Sequence, residues 1–283
     1  MAAAIHRGLW TRPDHRHIEW ASVEPAEAHS LIFSPPLIGG HFTQQLRLFR
    51  WVTKIGFGLF SFNYSGHGRS SDKFSLRTSI KDTFAIAKFH SNQRSDNQLP
   101  ICGIACCYAA IPLIIAACYL KEPFNKLVLI NPLPDYGLWA LIRSFTRYYL
   151  RFETVSFSRK SLWKALWNYA DFLFPHIPKD RHSFGALQRK RAKMGRCISD
   201  FILQRPLAKI RLKRTRVFCL YSRDDRFIQI YDGRSRFMQN YEERILQICP
   251  NTRFKVMDTD HYFTDPVARE LAKREITTFL NAA

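Results

Sequence analysis

Short runs in which nearly every position is apolar alternate, along the first half of the chain, with stretches whose apolar residues recur at helical spacing. The first pattern marks strands buried on both faces, and the second marks helices that bury one side. His17–Val23, Ser30–Phe33, Gly58–Asn63, Ile101–Ala105 and Lys126–Ile130 predict strands, while Phe42–Lys54, Ser79–Ser91 and Ala109–Leu120 predict helices. Turn residues punctuate them: Ser34-Pro35-Pro36, Gly39-Gly40, Ser65-Gly66-His67-Gly68-Arg69-Ser70 and Asn131-Pro132. Such alternation predicts a parallel sheet with helices on both faces. The pattern breaks off after Pro134, where no strand signal appears until Val217–Tyr221. Then a helix around Tyr231–Gln247, a strand Arg253–Met257 and a last helix Pro266–Leu280 resume it. One α/β core, residues 1–133 and 215–283, with a helical insertion over 134–214, is the simplest architecture.

Ile101–Leu120 carries no charged residue and is long enough to cross a bilayer. Pro100, Gly103 and Pro112 favour the competing reading of a buried strand, a tight turn and a buried helix. At 283 residues and 46% hydrophobic, the chain has ample material for such a core and is not a disordered polymer.

Charge changes the picture more. The chain carries 43 Lys and Arg against 23 Asp and Glu, and residues 134–216 hold 19 of the former against 5 of the latter. The same stretch is crowded with aromatics, from Tyr136 to Phe174, which suggests either a greasy pocket for an acyl chain or ring system or simply the insertion's own core. The run Gln188-Arg189-Lys190-Arg191-Ala192-Lys193 reads as a basic helix face. Such a surface anticipates an acyl-carrier protein, CoA or an anionic membrane surface. Nucleic acid is disfavoured, because no helix-turn-helix, zinc-finger or RNA-recognition pattern accompanies the charge. Seven cysteines without zinc-site spacing, and no secretory leader in MAAAIHRGLWTRPDHRH, fit a reducing cytoplasmic compartment, with a peripheral membrane position open.

Four of these segments together resemble the α/β-hydrolase fold superfamily. They are Tyr64–Ser70 after a strand, Asn131-Pro132 after Leu127–Ile130, Ser222-Arg223-Asp224-Asp225-Arg226, and Asp260-His261-Tyr262-Phe263. The order nucleophile, insertion, acid, histidine is also that of the superfamily. The resemblance implies a nucleophile elbow near residue 105, yet no serine lies there. One register, Gly103–Cys107, places Ala105 at the nucleophile and implies a dead site. Another, Ala105–Ala109, places Cys107 there between small flanking residues, and Cys106 is a third candidate.

The active register implies a Cys107–His261–Asp225 triad, with Asp224 as alternative acid. Oxyanion donors would be the backbone N–H groups of Tyr108 and Leu37, with Pro35-Pro36 standing where the superfamily keeps His-Gly. No metal or cofactor is implied. The activity expected is an acyl hydrolase or acyltransferase, esterase- or thioesterase-like, acting on a hydrophobic ester or thioester; a cysteine elbow is also a feature of polyhydroxyalkanoate synthases. The alternative is a catalytically silent relative that binds a hydrophobic ligand, an acidic partner or an anionic membrane surface. For each candidate a plainer reading stands: Cys107 as a small buried apolar side chain, His261 as a loop histidine, Asp225 as one charge of a solvated Arg-Asp-Asp-Arg cluster.

Overall fold

The apolar runs form the middle of one eight-stranded sheet. A computed structural model describes residues 4–37, 40–92, 99–120, 123–133, 207–223, 225 and 235–282. Its strands are β1 Ala4–Thr11, β2 His17–Glu24, β3 Ser30–Phe33, β4 Phe57–Phe62, β5 Ile101–Cys106, β6 Phe124–Ile130, β7 Arg216–Ser222 and β8 Thr252–Met257. They lie in the order β1-β2-β4-β3-β5-β6-β7-β8. The pairs β1/β2 and β2/β4 are antiparallel, and every other neighbour is parallel. All four residues of β3 and all six of β4 are buried, as strands covered on both faces must be.

Helices cover the two faces in turn. On one face α1, Phe42–Phe49, and α5, Pro266–Asn281, supply Phe42, Leu46, Phe49, Ile276 and Phe279 to a cluster that also holds Ile32, Ile104 and Phe218. On the other, α2, Leu76–Asn92, and α3, Ala110–Tyr119, pack Ile86, Leu113 and Ile114 against Leu31, Phe60 and Leu127. The remaining helix among the described residues, α4, Ser235–Ile248, brings Tyr241 and Ile245 against Cys219 and Tyr221 of β7.

The apolar stretch 101–120 is strand, turn and helix. Pro112 sits in the first turn of α3, where its missing N–H has no carbonyl partner to lose. No helix among the described residues is long and apolar enough to cross a membrane. Residues 134–206 of the expected insertion, including the basic run at 188–193, lie outside the described residues. The adjoining Leu207, Ile210 and Leu212 are buried against the α2–α3 side of the sheet.

Two elements differ from the sequence expectation. The helix predicted over Phe42–Lys54 is α only to Phe49 and tightens to 3-10 over Arg50–Ile55, where Trp51, Val52 and Thr53 bring bulky and β-branched side chains. Strand β1 carries no alternation that sequence could reveal, because Ile5 and Leu9 are exposed. Its end is anchored by Arg12, which pairs at 2.7 Å with the fully buried carboxylate of Asp82 on α2.

Candidate active site

Strand β5 ends at Cys106 in extended geometry, and the chain turns at once: Cys107–Ala109 form a single 3-10 turn leading into α3. Cys107 has φ 49°, left-handed backbone that is uncommon for a residue bearing a side chain. The residues two positions either side are small and the turn is tightly packed; Ala105, Ala109 and Ala110 have no exposure. Two residues before Ala105, Gly103 admits the helix: a Cβ there would lie 2.5 Å from Leu127 Cδ2 and 2.9 Å from Leu113 Cδ2. Gly103 is therefore a packing glycine beneath α3.

The three candidate positions separate clearly. Ala105 lies within β5, paired with Leu129, and belongs to the cluster on the α2–α3 side. Cys106 is half-buried against the opposite cluster, and its thiol is pushed up by burial and by proximity to Cys107. Cys107 occupies the turn and packs in the third cluster, with Cys219, Tyr221, Tyr241 and Ile245, flanked by Leu37 and Leu133.

Opposite Cys107, the loops after β7 and β8 bring in the charged groups. Asp225, whose side chain has no exposure, accepts a hydrogen bond from His261 Nδ1 at 2.6 Å. The Cys107 thiol lies close enough to favour the charged form of that ring. Burial disfavours charging the imidazole, but the bond to Asp225 and the nearby Cys107 outweigh it and push its pKa up to about 10. The histidine loop is braced by its neighbour: the carboxylate of Asp260 accepts from the N–H groups of Tyr262 and Thr264 and from the Thr264 hydroxyl at 2.7 Å. Though partial burial works against it, those bonds hold the Asp260 carboxyl below its usual range. Asp224, the alternative acid, lies outside the described residues.

The strand order, the left-handed turn after the fifth strand and the acid and histidine after the seventh and eighth strands decide the architecture. This is the α/β-hydrolase fold. Similar solved structures agree. An esterase of Pyrococcus furiosus aligns at TM-score 0.67 with 16% identity, covering 98% of this chain and 91% of that one. A hydrolase of Pseudomonas aeruginosa aligns at 0.61 with 14% identity, covering 98% and 99%. A thioesterase domain from the curacin biosynthetic pathway aligns at 0.57 with 15% identity, covering 96% and 99%. No protein-family model and no curated sequence matches the chain.

In an α/β-hydrolase fold the oxyanion pocket lies between the elbow and the loop after β3. Tyr108 follows Cys107 at the head of the helix, and its hydroxyl is tied to Ser79 of α2 at 2.5 Å. Across from it, Pro35 and Pro36 are buried and Leu37 is half-buried. The Leu37 carbonyl accepts from the Gly40 N–H at 2.9 Å, and His41 then caps α1 by accepting from the Thr43 N–H. Pro35 and Pro36 have no N–H of their own, and Leu37 keeps one. Among the described residues no group of three or more His, Cys, Asp or Glu side chains is placed to hold a metal ion.

One residue at the site carries a contact that sequence did not reveal. Asn131, read only as a turn after β6, points its amide at the His261 carbonyl and at Ser222. No local signal marks it, since its partners lie far along the chain.

Proposed function

We propose that the protein transfers acyl groups from a hydrophobic ester or thioester, to water or to another acceptor, through Cys107 as nucleophile. The observation that carries the reading is Cys107 at the left-handed turn, sharing His261 with a buried Asp225. A thiol is a competent nucleophile once its proton is taken, and a basic imidazole beside a carboxylate takes it. Asp225 fixes the ring so that Nδ1 keeps its proton and the other nitrogen serves Cys107.

The steps balance without a further group. The sulfur forms a bond to the acyl carbon, and the carbonyl π pair moves to oxygen, which in this reading the Tyr108 and Leu37 N–H groups receive. Collapse restores the carbonyl and breaks the bond to the leaving alkoxide or thiolate, which takes the proton from His261. Water or another acceptor then yields a proton to His261 and attacks the thioester, releasing the sulfur. Leu37 and Leu133 beside Cys107 favour an apolar acyl group. The chain's surplus of positive charge favours a donor with an anionic carrier, CoA or an acyl-carrier protein, over a neutral alcohol ester.

The test is a covalent trap. The protein is incubated with p-nitrophenyl esters of increasing chain length and, separately, with a long-chain acyl-CoA, and adducts are mapped by intact and peptide mass. An acyl group on Cys107, absent in Cys107→Ala and in His261→Ala, is expected. No adduct and no turnover across both donors would favour the silent ligand-binding reading, and an adduct on Cys106 would overturn the assignment of the nucleophile.

A further inference from the structure

Asn131 takes no part in the steps above, yet the Asn131-Pro132-Leu133 segment touches all three elements that carry them. Asn131 is 1% exposed and, like Cys107, adopts left-handed backbone, at φ 44°. Its amide oxygen accepts the Ser222 N–H at 2.7 Å. Its Nδ2 donates to Ser222 Oγ at 2.9 Å and to the backbone carbonyl of His261 at 3.0 Å. Its own N–H donates to the Leu220 carbonyl at 2.8 Å, and two residues on the Leu133 N–H donates to the Cys107 carbonyl at 3.2 Å. One short segment is thereby bonded to the elbow, to the end of the strand that leads to Asp225, and to the histidine itself.

The choice of residue fits the task. Asparagine tolerates left-handed backbone better than other residues with side chains, and it carries an acceptor and two donors on a short stem. Aspartate would keep the backbone and the bond from the Ser222 N–H but has nothing to donate to the His261 carbonyl. A carbonyl pinned at His261 fixes the Cα from which the ring swings, and the second bond fixes β7 relative to it.

We infer that Asn131 is a positioning residue whose side-chain amide registers His261 and Asp225 against Cys107. The inference rests on the reading of Cys107 as nucleophile, so its test keeps the two apart. The readout is the rate of iodoacetamide alkylation of Cys107, followed by peptide mass across pH 5–10, with the thermal midpoint measured on the same full-length proteins. Asn131→Gly keeps the left-handed backbone and removes the amide, and Asn131→Asp keeps the shape but not the donor. Both are expected to slow alkylation at neutral pH by at least roughly tenfold and to move the pH profile toward that of His261→Ala, since an ångström of misplacement costs up to about a hundredfold. A purely electrostatic role would move the charged and uncharged variants in opposite directions and would overturn the proposal. So would a wild-type rate and pH profile in either variant, even with a lowered thermal midpoint, because Asn131 would then serve stability alone. If His261→Ala itself alkylates like the wild type, the nucleophile reading falls and takes this inference with it.

Discussion

Cys107 is held mainly by packing, with one backbone bond from the Leu133 N–H, whereas His261 and Asp225 are held by side-chain hydrogen bonds. Around the elbow Cys107 packs with Cys219, Tyr221, Tyr241 and Ile245, next to the buried Ala105, Ala109 and Ala110, and Gly103 beneath α3 meets Leu113 and Leu127, so the strained turn is held by its surroundings. Around the histidine the supports are amide and carboxylate groups: Asn131 beneath the loop, Asp260 within it and Asp225 against the ring. The arrangement suits the chemistry. On the proposed reading a nucleophile needs one fixed direction of attack, while an imidazole that changes charge in each cycle needs dipoles around it that are already oriented.

The sharpest test of that contrast is Asp225→Asn. It preserves shape but offers the ring no negative charge, and acylation of Cys107 by a p-nitrophenyl ester is expected to fall on the order of a thousandfold. A loss under about tenfold would mean that the hydrogen-bonded side matters little. Next comes Gly103→Ala, which forces a methyl into Leu127 and Leu113. A cost of about 1–3 kcal/mol in denaturant unfolding is expected, against less than about 1 kcal/mol for Thr264→Ala on the exposed histidine loop. Equal costs would erase the distinction between the two sides.

A smaller effect concerns the strain itself. Cys107→Ala and Cys107→Gly both lose the sulfur, but only glycine is at ease at φ 49°, so the glycine variant is expected to be the more stable by about 1 kcal/mol. Smallest, and visible only as a difference, is a pH effect. The folded His261 pKa is raised above its unfolded value, so its contribution to stability is complete below about 6.5 and is lost as pH rises through about 10. The thermal midpoint of the wild type should therefore decline across that window more steeply than that of His261→Gln, and parallel curves would refute the paired arrangement.

The parts of this molecule that were legible in sequence are those whose physics is local. Ser30–Phe33 and Gly58–Asn63 announce themselves as central strands because burial on both faces leaves no charged position and a high share of apolar ones. Asp265-Pro266 announces the start of α5, where the carboxylate accepts from the Val267 and Ala268 N–H groups. The elbow register stayed open between Ala105, Cys106 and Cys107 because residues 101–107 are apolar or small throughout, and nothing in such a run says where the strand stops. That end is fixed by the pairing of Cys106 with Ile130 on the neighbouring strand. Strand β1 stayed hidden because it sits at the sheet's edge with Ile5 and Leu9 turned outward and only Trp10 packed on the core. Arg12 and Asp82, like Asn131 and His261, meet only after the sheet has assembled, and no spacing along the chain encodes their meeting.

The neighbouring strands β6 and β7 are joined by a far longer stretch of chain than are β5 and β6, yet they pair residue for residue from Lys126–Arg216 to Ile130–Leu220. Loop-closure entropy grows only with the logarithm of length. The longer connection, a little more than two doublings, therefore costs about 1.5 kcal/mol beyond the shorter one. In evolutionary terms the pairing of β6 with β7 tolerates a long connection at small cost, and the bonds of Asn131 to Ser222 and His261 lie within the frame that this pairing builds.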